Sequence, residues 1–164
     1  MQKPDSLRAH MAEWFPDLAR DPDRLRLWIE TGKVRAINGP SRNFTWEYTL
    51  SAMITEWTGD PSALAVVINE WCRANAPELL QQGSGYTFEA DILDAATFDV
   101  QFTLPLTEPV LVTDRPGGGW NLQHPAEPAP LFPDDEPAGG PLREIWHDRP
   151  AEQGGDERIM PLAE

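Results

Sequence analysis

Between Asn43 and Trp71 the apolar positions change period once. Phe44, Trp46, Tyr48, Leu50, Ala52 and Ile54 recur at every second residue, with Thr45, Glu47, Thr49, Ser51, Met53 and Thr55 between them. Alternation of that length predicts a strand with one buried face. Trp57 ends the run in the phase of the polar face. A Gly59-Asp60-Pro61 corner follows, and the spacing becomes helical at Leu64, Val67, Ile68, Trp71 and Cys72. Asp60 is placed to cap this helix, and Pro77 limits it.

Two further helices are predicted upstream. KPDSLRAHMAEWF carries Leu7, Met11, Trp14 and Phe15 at helical spacing behind Pro4 and Asp5. DPDRLRLWIETG has a capping Asp21, Pro22 in the first turn, an apolar stripe of Leu25, Trp28 and Ile29, and a stop at Gly32. Val34 to Asn38 reads as a short strand, turned by NGPSRN. Downstream, YTFEADILDAATFDVQFTLPL folds on itself if Ala95-Ala96-Thr97 is the turn. That register sets Ile92 against Val100, Ala90 against Phe102, Phe88 against Leu104 and Tyr86 against Leu106, all on one face. VLVTDRPGGGWNLQH predicts a further hairpin.

Composition changes near Arg115. Residues 116–164 hold nine of the 17 Pro, seven of the 12 Gly and ten acids against three Arg. Such a segment cannot bury a core of its own. The expected organisation is an α+β body at 1–115, its mainly antiparallel sheet covered by helices on one face. A Pro/Gly-rich acidic arm at 116–164, with hairpins of its own, follows.

Charge narrows the partners. The formal net charge is −14, so tight binding to nucleic acid or anionic lipid is not expected. No stretch is long and apolar enough for a membrane span, and MQKPDSLRAH lacks the apolar centre of a signal peptide. A lone cysteine excludes an internal disulfide and points to a reducing, cytoplasmic setting.

Candidate chemistry is sparse. His10, His124 and His147 lie far apart, with no metal-type partner near any of them. Cys72 sits on an apolar helix stripe and reads as a small buried hydrophobe rather than a nucleophile. Glu89, Asp91 and Asp99 fall on the outer face of the predicted hairpin, where two carboxylates could make a glycosidase pair; the same pattern marks a solvated or partner-facing strand. TGDP and PGGG are turns without the residues of a phosphate loop. No catalytic, cofactor or metal site is therefore expected. The chain has seven tryptophans. Trp28, Trp46 and Trp71 fall on predicted core positions. Trp57, Trp120 and Trp146 do not, and are the candidate interface residues; an aromatic in a Pro-rich arm is either part of a small local cluster or an anchor for a partner's groove.

Several short segments occur in an order and spacing that carry a family resemblance: KPDSLR at 3–8, YTL at 48–50, TGD at 58–60 and WCRANAP at 71–77, then TFEADI at 87–92, FDVQFTLPLTE at 98–108 and VLV after it. From about Lys3 to Val112 the chain resembles the tail completion protein R (GpR) family of contractile-tailed temperate phages. The Pro-, Gly- and acid-rich tail beyond Trp120 departs from it, though REIWHDRPAEQGGDERIM keeps a C-terminal hairpin in the manner of the family. The resemblance implies a structural virion protein, not an enzyme, that finishes the tail at its head-proximal end. It implies a ring, hexameric in related terminators, touching tail tube, sheath and neck or connector proteins, with DNA passing through unbound. A channel wall around DNA would then be acidic or neutral, with Glu89, Asp91 and Asp99 or Glu47 and Glu56 as the candidate acids, unless these are simply solvated or pair with Arg of a neighbouring copy. Two other readings remain at this stage: another connector or baseplate subunit, and a hydrolase using the hairpin carboxylates.

Overall fold

The computed structural model describes residues 1–94, 97–127, 144–147 and 157–161. The chain runs α1 (Lys3–Trp14), α2 (Pro16–Arg20), β1 (Leu25–Ala36), β2 (Phe44–Trp57), α3 (Pro61–Asn75), β3 (Thr87–Ile92), β4 (Phe98–Asp114), β5 (Trp120–Gln123), β6 (Glu144–His147) and β7 (Glu157–Pro161). The main sheet is antiparallel in the order β1-β2-β4-β3, with β5 added to β4. This is an α+β fold.

One face of the sheet is covered. Leu7 and Met11 of α1 and Leu64, Val67, Ile68 and Trp71 of α3 pack onto Leu50, Ala52, Ile54, Val100, Phe102 and Leu104. The caps work as the sequence predicts for α3. Asp60 accepts from the Ser62 N–H at 2.7 Å, Pro61 opens the first turn, and the helix stops before Pro77. Helix α1 ends ahead of Pro16, since the residue before a proline disfavours the α region.

The segment expected as a second long helix is a strand. Pro22–Arg24 forms one 3-10 turn, and β1 then runs twelve residues from Leu25 to Ala36. Leu25, Trp28 and Ile29 fit a helical stripe, but Leu25, Leu27 and Ile29 fit alternation equally well, and a short apolar run does not discriminate. The exposed edge of β2 decides, because β1 pairs with it from Leu25↔Ile54 to Ala36↔Phe44. The short strand expected at 34–38 is the end of β1. Trp28, expected in the core, lies on the opposite face and is 40 % exposed.

Two registers also differ. The β3–β4 pairing is Ile92↔Phe98, Ala90↔Val100 and Phe88↔Phe102, two residues from the expected alignment. A two-residue slip keeps every side chain on its face. The strands end at Ile92 and Phe98, and the Leu93 N–H donates to Thr97 O at 2.9 Å; Ala95 and Ala96 of the expected turn lie outside the described residues. Tyr86 then precedes β3 and donates its hydroxyl to Asn69 Oδ1 at 2.9 Å. At the end of β2, a bulge between Ile54 and Trp57 reverses the expected phase. Glu56 takes φ 55° there, and Trp57 turns inward to 5 % exposure, with its ring 5.0 Å from that of Phe15. Gly59 completes this corner; a Cβ on it would sit 3.1 Å from the Trp57 ring.

Pro105 and Pro109 are tolerated within β4 because β3 pairs no further than Thr103, so between there and Val110 the strand has β2 alone as a neighbour. The β4–β5 hairpin closes through Gly117, Gly118 and Gly119 at φ 90°, 99° and 94°. A second hairpin pairs β6 with β7, within the segment where a C-terminal hairpin is expected.

Candidate interaction surfaces

The described surface offers three features: a buried polar clamp at the start of the chain, an exposed hairpin, and the two long edges of the sheet. The clamp is centred on Glu108, 4 % exposed on the inner face of β4. Its carboxylate accepts from the backbone N–H of Gln2 at 2.6 Å and of Lys3 at 3.3 Å, and from the Tyr48 hydroxyl. A carboxylate there satisfies free N–H groups at the start of α1 and favours the positive end of its dipole. Burial, with Glu108 beside it, pushes the Tyr48 hydroxyl far above its ordinary range, so it remains a donor. Lys3 Nζ reaches Glu127 at 2.9 Å and Glu78 at 3.6 Å. The chain leaving β5 is thus tied back to α1. A cavity of about 320 Å³ lies here between Lys3, Ser6, Asn75, Glu108 and His124.

The histidines are not gathered. His10 is half-buried against Trp14 with Nε2 3.2 Å from Val67 O, and burial lowers its pKa. His124 lines the clamp cavity, and His147 ends β6. Among the described residues, no group of three or more His, Cys, Asp or Glu is placed to hold a metal ion. Cys72 is fully buried, and burial pushes its thiol up to about 12, far from the range of a nucleophile. Tyr86 is likewise raised by burial to about 12.

The hairpin carboxylates divide between two tasks. Asp99 accepts from the Glu56 N–H at 2.8 Å, while Arg24 donates to the Thr55 and Glu56 carbonyls at 3.1 and 2.5 Å. These long-range bonds hold the bulge that turns Trp57 inward. Asp91 stands directly opposite Asp99 and Glu89 opposite Gln101, both exposed on the outer face. On β2, Glu47 binds Lys33 at 2.7 Å and Arg35 at 2.5 Å, and the Lys33 hydrogen bond lowers its pKa.

The three candidate interface tryptophans have different settings. Trp57 belongs to the core, so the subunit does not present it. Trp120 is 61 % exposed on β5, with the Arg42 guanidinium 5.4 Å above its ring and Arg42 also 3.3 Å from Asp114. Leu122 beside it is 62 % exposed. Trp146 stands on β6 opposite Arg158. Sequence reasoning missed the clamp, whose only signal was a lone acid, Glu108, at an inner-face position of β4.

Residues 1–128 match the family described as P2 phage tail completion protein R (GpR). The chain belongs to this family. It is 35 % identical to tail completion protein R of Escherichia phage P2 over 141 residues, which is 84 % of this chain and 90 % of that protein. No solved structure matches it. The GpR match extends past β5 to the clamp residue Glu127 and stops one residue later.

Proposed function

We propose that this chain is a structural subunit of a phage tail that completes the tail at its head-proximal end. Copies form a ring, six in number, on the last layer of the tail tube, and the ring makes the tail competent to join the head. The observation that carries this reading is membership of the tail completion protein R family over residues 1–128. The surface supports it: the described residues expose sheet edges, a polar outer face and an aromatic hairpin. Partners are neighbouring copies, the tube protein, the sheath and the neck or connector proteins. Trp120, and the part of the 116–164 arm beyond Glu127 with Trp146, make contacts outside the body. DNA passes without specific binding, consistent with a net charge of −14. The protein resides in the virion tail at the neck and assembles in the host cytoplasm. It carries out no catalytic step.

Cryo-EM of intact particles, beside particles made without this chain, tests the reading. The expected result is a ring of these subunits at the head end of the tube, and tails that fail to join heads when it is missing. Density in a head-side connector layer or in the baseplate would replace the terminator assignment with that role. Particles that assemble and infect normally without the chain would overturn the proposal.

A further inference from the structure

The two outer strands of the sheet complement each other on both faces. Among the described residues, neither β1 nor β3 has a strand on its free side. On the outer face, β1 presents Arg26, Lys33 and Arg35. Its one acid, Glu30, is engaged by Ser51 at 2.5 Å, and Lys33 and Arg35 share the single carboxylate of Glu47, so this edge is net positive. On the same face β3 presents Glu89 and Asp91 and no cation. Asp91 stands directly opposite Asp99, and like charges so placed repel.

The inner face matches in the same way. The helices cover β2, β4 and the start of β1 at Leu25 and Leu27, but leave other apolar residues of both edges open. Ile29 and Val34 on β1 are 37 % and 54 % exposed, and Phe88 and Ile92 on β3 are 65 % and 74 % exposed. Direction matches as well. Each neighbouring pair in β1-β2-β4-β3 is antiparallel, so β1 and β3 run in opposite directions. Copies rotated about an axis along the strands therefore bring β3 of one beside β1 of the next in antiparallel pairing.

We infer that β3 of one subunit adds to β1 of the next copy of this chain, continuing the antiparallel sheet across the subunit boundary. The inference rests on the ring proposed above and names its seam. A contact between two different edges is heterologous, so it repeats around a closed ring. The six residues of β3 give a seam of roughly 20 Å. Backbone hydrogen bonds supply pairing, the apolar inner residues become buried, and Arg26, Lys33 and Arg35 meet the acids of β3. A monomer protecting its edges from association would carry charges of one sign on both; here the signs are opposite.

The test uses two full-length variants, Arg26→Glu/Lys33→Glu/Arg35→Glu and Glu89→Lys/Asp91→Lys. Their masses are followed by sedimentation against the 18.4 kDa subunit, with folding verified by circular dichroism. The wild type should assemble. Each variant alone should stay monomeric or need at least about tenfold more protein to assemble. An equimolar mixture should assemble again, because each reversed edge then faces its complement and the two variants alternate. If a reversal variant does not fold, Ile92→Asp gives the same reading: lost assembly supports the seam and intact assembly overturns it. Reversal variants that assemble as the wild type does, or a mixture that stays monomeric, would overturn the seam and leave the ring standing on another contact. A wild type that stays monomeric both alone and on purified tail tubes would overturn the ring, and the seam with it.

Discussion

Replacing Trp71 with alanine should cost the body about 4 kcal/mol. The side chain is 1 % exposed, in the middle of the α3 stripe that covers the sheet. A tryptophan buries about 150–250 Å², which at about 25 cal/mol per Å² is roughly 4–6 kcal/mol. An unfolded chain already shields part of that area, which trims the figure to roughly 3–5 kcal/mol, the usual range for emptying a large core site. The indole N–H also donates to Ser6 Oγ at 3.0 Å, and Ser6 donates to Asn75 Oδ1 at 3.2 Å. This chain of bonds ties α1 to α3, and its loss adds about 1 kcal/mol. Urea unfolding of the isolated protein, followed by circular dichroism, reads the change directly. With a slope of about 1–3 kcal/mol per M, the midpoint should fall by roughly 1.5–4 M. Trp71→Phe should recover more than half of the loss. A change below about 1 kcal/mol for the alanine variant would mean that the helix–sheet contact tolerates a void there, and the packing argument would fail.

Glu108→Ala leaves two backbone donors and the Tyr48 hydroxyl buried without their acceptor, so it should cost about 2–4 kcal/mol, and hydrogen exchange should rise first in the opening turn of α1. Burial holds the His10 imidazole below its ordinary value of 6.5, so the unfolded chain binds the proton more tightly; its contribution is present above about pH 6.5 and is lost as pH falls toward the lowered value. Wild type should therefore lose more stability than His10→Gln between pH 7 and pH 5, and equal losses would refute this. Truncation after Glu127, which keeps the Lys3–Glu127 ion pair, should leave the unfolding free energy within about 0.5 kcal/mol of the full chain; a large drop would mean that the arm packs into the body.

Wherever the signal is local, the sequence by itself determined the result. The alternation of β2, the Asp60-Pro61 start and Pro77 stop of α3, the stripe of Leu7 and Met11 in α1 and the glycine turn before β5 each depend on neighbours within a few residues. Of the family segments, KPDSLR, YTL, TGD and WCRANAP lie on or beside these elements, while TFEADI and FDVQFTLPLTE lie on β3 and β4. What failed was decided by partners distant in the chain. Residues 25–29 satisfy helical and strand periods alike, and only the unpaired edge of β2 selects the strand. That choice also decides the functional surface. Read as a helix that stops at Gly32 before a short strand, Arg26 is separated from Lys33 and Arg35; read as one bulged strand the three share a face, opposite in charge to Glu89 and Asp91. Trp57 was expected outside because alternation places it there. Arg24, some thirty residues earlier, and Asp99, some forty later, hold the bulge that turns it in. The β3–β4 register slid by two residues without moving any side chain to the other face, a change that periodicity does not register. Local pattern fixes which face of an element is apolar; tertiary contacts fix which element forms at an ambiguous run and which edges are left open for a neighbour.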